Sequence, residues 1–249
     1  MIKRIESTQN SLVKYWKKLA VVRKEREKSK EFIIEGFHLV EEALKNKSQI
    51  TQLIVREDVD LPMLWDIDDL AMVEVTAAVA KEFAETENSQ GVFAVCQQIE
   101  VVADNFSRVL LIDAVQDPGN IGTMIRTADA AGMDAVILGK GCADAYNPKT
   151  LRAAQGSHFH IPIVRADLMD YVAELTIPVY GTALEEAVSL TAVEPQEKFA
   201  LIVGNEGSGI NPQLLSKATQ TIMIPMRGGA ESLNVAVATG ILLYTLVKA

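Results

Sequence analysis

The chain has 249 residues, 49% hydrophobic and 23% charged, with two cysteines and a net charge of −9. That length can bury one large core or two smaller ones in an ordinary soluble protein. Cys96 and Cys142 are too few and too far apart for a disulfide framework or a zinc cluster. No apolar signal-peptide core opens the chain, and the apolar run from Leu233 to Val247 is shorter than the roughly 18 residues of a spanning helix, so we expect a cytoplasmic protein with no membrane segment and no metal.

Residues 1–30 carry ten Lys or Arg against three Glu, a surplus of seven positive charges that leaves −16 for the remainder. A basic arm on an acidic body can hold phosphates locally; a solvated helix face is the plainer reading of the same charges. Leu12, Tyr15, Trp16 and Leu19 recur at helical spacing, with Lys14, Lys17, Lys18 and Arg23 over the rest of the surface. Phe32–Ile34 is a short strand, and Gly36 to Leu44 a helix with Phe37, Val40 and Leu44 on one face. Leu53–Val55, Met72–Val75 and Val92–Val95 follow as strands, which makes residues 1–98 a small α/β domain.

The chain divides near residues 98–107, and alternation is cleaner beyond it. Val109–Ile112 is an apolar run suited to a strand covered on both faces. Residues 121–131 read as a helix and Ala135–Leu138 as a strand, and Asn147-Pro148 opens a short helix. Pro178–Gly181, Phe199–Val203 and Thr221–Ile224 follow as strands, with a helix from about Asn211 between the last two and a closing helix over Leu233 to Val247. Residues 107–249 therefore form an α/β domain on a doubly wound, mostly parallel sheet.

Three polar, glycine-bearing segments stand out in this half: Asp117 to Arg126, Leu201 to Gly209, and Ile224 to Ala236. Loops of this kind offer backbone groups to a ligand. Gly204, Gly207 and Gly209 reverse the dinucleotide fingerprint and come late in the domain, and a P-loop is missing. His158 and His160 alternate as in a strand and read as structural. Each motif residue also has a plain reading: Asn120 and Ser232 as helix caps, Gly122 as a packing contact, Arg126 as one more helical cation, and Gly204 and Gly207 as turn residues.

Asn120-x-Gly122-x-x-x-Arg126, then Gly204-Asn205-Glu206-Gly207, then Ser232-Leu233-Asn234-Val235-Ala236 resemble the three motifs of the SpoU (TrmH-like) RNA ribose 2'-O-methyltransferases of the SPOUT class. The likeness covers residues 107–249. Ser11–Lys14 and Phe32–Leu44 resemble, more loosely, the substrate-binding domain that precedes this catalytic domain, itself similar to small RNA-binding ribosomal proteins. The resemblance implies a C-terminal trefoil knot, an exception to the rule that chains are unknotted. It implies S-adenosylmethionine as cofactor at Gly204, Ile224 and Leu233, RNA as partner (ribosomal RNA by its two-domain layout), and a homodimer through the C-terminal domain. Arg126, with Asn120, Asn234 and Glu206, is the implied catalytic set. Family precedent makes Arg126 central, even as base. A guanidinium stays protonated, so binding of the phosphate beside the target ribose suits it better. Glu206 either fixes Arg126 or accepts a proton. Lys14, Lys17, Lys18 and Arg23 are the expected RNA contacts. A catalytically inert RNA-binding protein and a transfer-RNA methyltransferase are the competing readings.

Overall fold

The computed structural model describes residues 3–45, 49–99, 101, 106–183 and 187–248. The chain forms two compact units, Met1–Glu100 with Tyr146–Phe159, and Val101–Ala145 with His160–Ala249. A helix from the second half of the chain groups with the first unit. Alternation along the sequence shows that Pro148–Ala154 is a helix and not which sheet it covers.

The first unit contains β1 (Lys3–Ile5), α1 (Ser11–Val21), α2 (Arg23–Ser29), β2 (Glu31–Glu35), α3 (Phe37–Leu44), β3 (Ile50–Arg56), β4 (Met72–Val75), α4 (Ala77–Ala80) and β5 (Val92–Gln97). The sheet order is β1-β4-β3-β5-β2, with β1, β4 and β3 parallel and β5 antiparallel to β3 and β2. Side chains alternate across it. Ile33, Ile54, Phe93 and Val95 face a core with Trp16 and Leu19 of α1 and Phe83. Phe32, Ile34, Leu53, Val92 and Ala94 face a second core with Leu39 and Val40 of α3 and Leu151 and Phe159. With both faces covered, each fully buried Leu or Phe contributes about 1.5–3 kcal/mol.

The basic segment is part of this unit and not an extended arm. β1 is paired to β4, and Asn10 caps α1 by accepting the N–H of Leu12 at 2.9 Å. Trp16 is fully buried and donates Nε1–H to Gln52 at 2.8 Å. The Tyr15 hydroxyl donates to Glu31, and burial followed by that carboxylate pushes its pKa up to about 12. Arg26 is buried with 2% exposed, bonded to the carbonyl of Ala20 at 3.1 Å, so one of the ten cations serves the fold. Lys14, Lys17, Lys18 and Arg23 are all exposed.

The second unit contains β6 (Arg108–Ile112), α5 (Pro118–Ala130), β7 (Ala135–Leu138), then, after the helix Pro148–Ala154 (α6), β8 (Ile163–Arg165), α7 (Leu168–Glu174), β9 (Val179–Thr182), β10 (Val188–Ser189), β11 (Phe199–Val203), α8 (Pro212–Leu215), β12 (Gln220–Met223) and α9 (Val235–Leu246). All seven strands are parallel, in the order β10-β12-β9-β11-β6-β7-β8. Val109, Leu111, Ala200 and Ile202 pack against Leu168 and Val172 of α7 and Leu214 of α8. α5 packs on α9, and Tyr244 of α9 donates its hydroxyl to the Ala130 carbonyl at 3.2 Å.

Three local expectations need correction. The helix α5 starts at Pro118 because Asp117, not Asn120, caps it, accepting the Asn120 N–H at 2.8 Å. The cap of α9 is Asn234, not Ser232. His158 lies in a 3-10 turn over Ser157–Phe159 beside Tyr146, and not in a strand. Among the described residues no helix is long and apolar enough to cross a membrane.

Candidate active site

The ends of the parallel strands set the three motif loops. After β6 the chain passes Asp113 and Ala114 into the Asp117 cap; Ala114 adopts φ +53. After β11 it makes a five-residue loop closed by paired backbone bonds between Asn205 and Gly209, both 3.0 Å. The Asn205 carbonyl oxygen Oδ1 accepts N–H from Gly207 (2.9 Å) and Ser208 (3.1 Å), and Nδ2 donates to the Ala114 carbonyl at 2.9 Å. One asparagine thus shapes the loop and ties it to the end of β6. Gly204 is fixed by the same closure: a Cβ there would stand 2.3 Å from the Gly209 carbonyl carbon and the Ile210 nitrogen. Asp113 joins in by accepting the Asn211 N–H at 2.7 Å.

A directional side-chain relay joins the three motifs. The Asn234 Oδ1 accepts the N–H groups of Ala236 (2.9 Å) and Val237 (3.3 Å), as an N-cap does. Its amide nitrogen must then point away, and it donates to Asn120 Oδ1 at 3.0 Å. That in turn commits the Asn120 amide nitrogen to Glu206 Oε1, at 2.8 Å. The backbone of α9 sets the sense of every bond. It ends on a carboxylate whose Oε2 has no hydrogen-bond partner among the described residues.

Asn120, Glu206 and Asn234 are therefore brought together, and Arg126 is not bonded to them. It is exposed on α5, two turns beyond Asn120, and makes no hydrogen bond or ion pair among the described residues. Glu206 holds Asn120 and not Arg126. Of the expected cofactor positions, Gly204 is buried, Ile224 half-buried and Leu233 exposed. No hydrogen bond among the described residues engages the backbone of residues 225–233. Apolar Met226 and Leu233 are each 36% exposed there. Free main-chain groups beside apolar side chains fit an adenosyl group held by its edges.

The expected RNA contacts belong to the first unit, on α1 and the start of α2. Lys17 pairs with Glu82 at 2.9 Å, Arg23 with Glu27 at 2.7 Å, and Lys18 lies 4.0 Å from Glu25. Lys14 has no such partner among the described residues. Sequence reasoning missed Asn205, although Asn two residues before Gly is a recognisable turn signal. It also missed a cleft of about 500 Å³ at the strand ends, lined by Asp113, Lys140, Asp167 and Asn211 and by none of the expected residues. Both cysteines are buried, which raises their thiol pKa values; Cys142 also donates to the Ile112 carbonyl at 3.1 Å.

Known proteins share this layout. The SpoU rRNA methylase family matches residues 107–244, and the MRM3-like substrate-binding domain matches residues 10–94. The 23S rRNA (guanosine(2553)-2'-O)-methyltransferase RlmP of Bacillus subtilis is 51% identical, covering 98% of this chain and 99% of its own. An AdoMet-bound rRNA methyltransferase from Sinorhizobium meliloti superposes with a TM-score of 0.87 at 31% identity, over 98% of this chain and 97% of the other. The SpoU methyltransferase AviRb of Streptomyces viridochromogenes, in complex with AdoMet, gives 0.84 at 27% identity over 96% and 97%. The matches extend over both halves of the chain, and the chain belongs to the SpoU rRNA methylase family.

Proposed function

We propose that the Asn234–Asn120–Glu206 relay is the centre at which this chain, an S-adenosylmethionine-dependent RNA ribose 2'-O-methyltransferase, handles the target hydroxyl. The observation that carries this reading is the bonding of three separate motifs into one side-chain chain ending on a carboxylate. S-adenosylmethionine would supply a methyl group on a sulfonium, from which a neutral thioether departs as a good leaving group. Gly204, Ile224 and Leu233 would hold it through the main chain. The protein's remaining work is to align the 2'-hydroxyl and receive its proton. Asn120 and Asn234 hold Glu206, whose Oε2 accepts the hydrogen bond of the attacking hydroxyl. That hydroxyl becomes strongly acidic as its new bond to carbon forms, so a carboxylate suffices as acceptor. Arg126 binds the phosphate next to the ribose by a planar two-point contact.

The substrate is a guanosine of 23S ribosomal RNA, as in the B. subtilis relative, and the reaction is cytoplasmic. Residues 1–98 bind that RNA, with Lys14, Lys17, Lys18 and Arg23 meeting phosphates, and residues 107–249 carry the chemistry. The C-terminal chain forms a trefoil knot. In support, Gln196, just before β11, grips the end of the chain, accepting the Lys248 N–H at 3.0 Å and donating to the Leu246 carbonyl at 2.6 Å. A homodimer forms on α9, where Val237 (54%), Ile241 (40%) and Tyr244 (66%) leave an exposed apolar stripe. The test is transfer of labelled methyl from S-adenosylmethionine to 23S rRNA, with the 2'-O-methyl position mapped. We expect one new site. No transfer, or label on a base, would overturn the reading.

A further inference from the structure

The first unit contains a cleft of about 260 Å³ that none of the motif residues lines. Its walls are apolar: Ile33, Leu39, Phe83, Phe93 and Leu151, all buried. Its mouth is polar, formed by Glu85, Thr86, Asn88, Gln90 and Arg152. An apolar slot with a ring of mixed donors and acceptors suits a flat heteroaromatic group with polar edges.

The mouth is held rigidly from within. Glu35 accepts the Glu85 N–H at 2.8 Å and the Thr86 hydroxyl at 2.7 Å. Gln90 Oε1 accepts the Phe37 N–H at 2.8 Å, beneath Gly36 at φ +101, where a Cβ would approach that oxygen to 2.8 Å. Glu35 and Gln90 Oε1 are thus spent on the frame. Left for an occupant along the lining are Glu85, paired to Arg152 at 2.6 Å with 28% of its side chain exposed, Asn88, and the amide nitrogen of Gln90.

Phosphate is the wrong occupant, because two carboxylates border the cleft and its walls are apolar. RNA is read in sequence-specific fashion through unstacked bases set against aromatic side chains and bonded along their edges. We propose that this cleft receives one unstacked base of the substrate RNA, and that the base is guanine. A carboxylate accepts two parallel N–H bonds from the N1–H and N2–H₂ edge of guanine, whereas adenine, cytosine and uracil offer no such adjacent pair. Arg152 orients Glu85 for that contact. The inference rests on the reading of this chain as an RNA methyltransferase, and it assigns the choice of RNA partly to residues outside the catalytic unit.

Two measurements on the full chain test it separately from the catalytic reading. In the first, guanosine 5'-monophosphate is titrated into ¹⁵N-labelled protein, with adenosine 5'-monophosphate and inorganic phosphate as comparisons. We expect the amides of Gly36, Thr86 and Asn88 to shift with the guanine nucleotide, less with the adenine one, and not with phosphate. In Glu85→Gln the preference for guanine is lost. Shifts confined to other residues, or equal for phosphate, overturn the proposal whether or not the protein methylates RNA. In the second, Glu85→Gln and the rim-blocking Asn88→Trp are assayed on 23S rRNA. We expect KM for RNA to rise about tenfold, with kcat and S-adenosylmethionine affinity held. An unchanged KM in both variants, in a wild type that does transfer methyl, overturns the base site and leaves the enzyme reading intact.

Discussion

Replacing Asn234 with Asp separates its two duties. Asp keeps the oxygen that caps α9, and Asn and Asp are about equal as N-caps. Its charge beside the first turn of a helix is favourable by about 0.3–1 kcal/mol. Stability to urea should therefore stay within about 1 kcal/mol of wild type. The relay fares differently. The group facing Asn120 Oδ1 at 3.0 Å changes from a donor to an acceptor. If Asn120 turns over to compensate, its oxygen meets Glu206 Oε1 where an amide now sits at 2.8 Å. Either way one acceptor faces another, and a bond to a charged group worth about 1.5–3 kcal/mol is lost. If that loss falls on the transition state, kcat drops about 10- to 150-fold at roughly 1.4 kcal/mol per factor of ten. Asn234→Ala should lose activity and also about 1 kcal/mol of stability with the cap. Steady-state methyl transfer and urea unfolding of both variants decide it. Wild-type kcat in the Asp variant, or equal destabilisation by Asp and Ala, would refute the directional relay.

Gly204→Ala should destabilise the second unit by about 3 kcal/mol or more, since its Cβ meets backbone at 2.3 Å and not a movable side chain; a melting temperature within a degree or two of wild type would show that the loop gives way easily. Arg126→Ala and Arg126→Lys should both abolish transfer while S-adenosylmethionine affinity by calorimetry is retained, because this exposed side chain is bonded to neither loop. Val237→Asp with Ile241→Asp should convert a dimer of twice 27.2 kDa into a monomer by light scattering; a wild type already monomeric at micromolar concentration removes the dimer from the account. Reversing Lys14, Lys17 and Lys18 to Glu should weaken RNA binding and flatten the salt dependence by roughly 0.7–0.9 in slope for each phosphate no longer neutralised; an unchanged slope would leave Lys17 and Lys18 to their carboxylate partners Glu82 and Glu25 and Lys14 to solvent.

The long apolar strands were legible because each is buried on both faces, and their composition says so without help from the rest of the fold. Val109–Ile112 and Phe199–Val203 are of this kind. β1, β8 and β10, with three, three and two residues, hold no period that a sequence reading can detect; they exist because a neighbouring strand supplies their ladder. α2 was hidden for another reason. Its sequence, Arg-Lys-Glu-Arg-Glu-Lys-Ser, shows no apolar stripe, and what anchors it is Arg26, a cation that turns inward onto backbone carbonyls.

At the site, the motif residues were visible as words, and their bonding was not. Asn120 looks like a helix cap because it precedes an apolar helical run. Asp117, three residues earlier, takes the cap with Pro118 behind it, and this frees the Asn120 side chain for Glu206 and Asn234. Asn234 in turn looks like one polar residue in a loop until the start of α9 fixes which way its amide faces. The contacts span 86 and 114 residues of sequence. No local pattern can encode such a pairing, because it depends on β11 lying beside β6 and on α9 returning over α5. What the sequence does carry is the chemistry at each end: two amides that can relay a direction, and a carboxylate that can use it. The cap on α9 converts that possibility into a fixed polarity, so the helix that closes the chain also orients the Glu206 carboxylate.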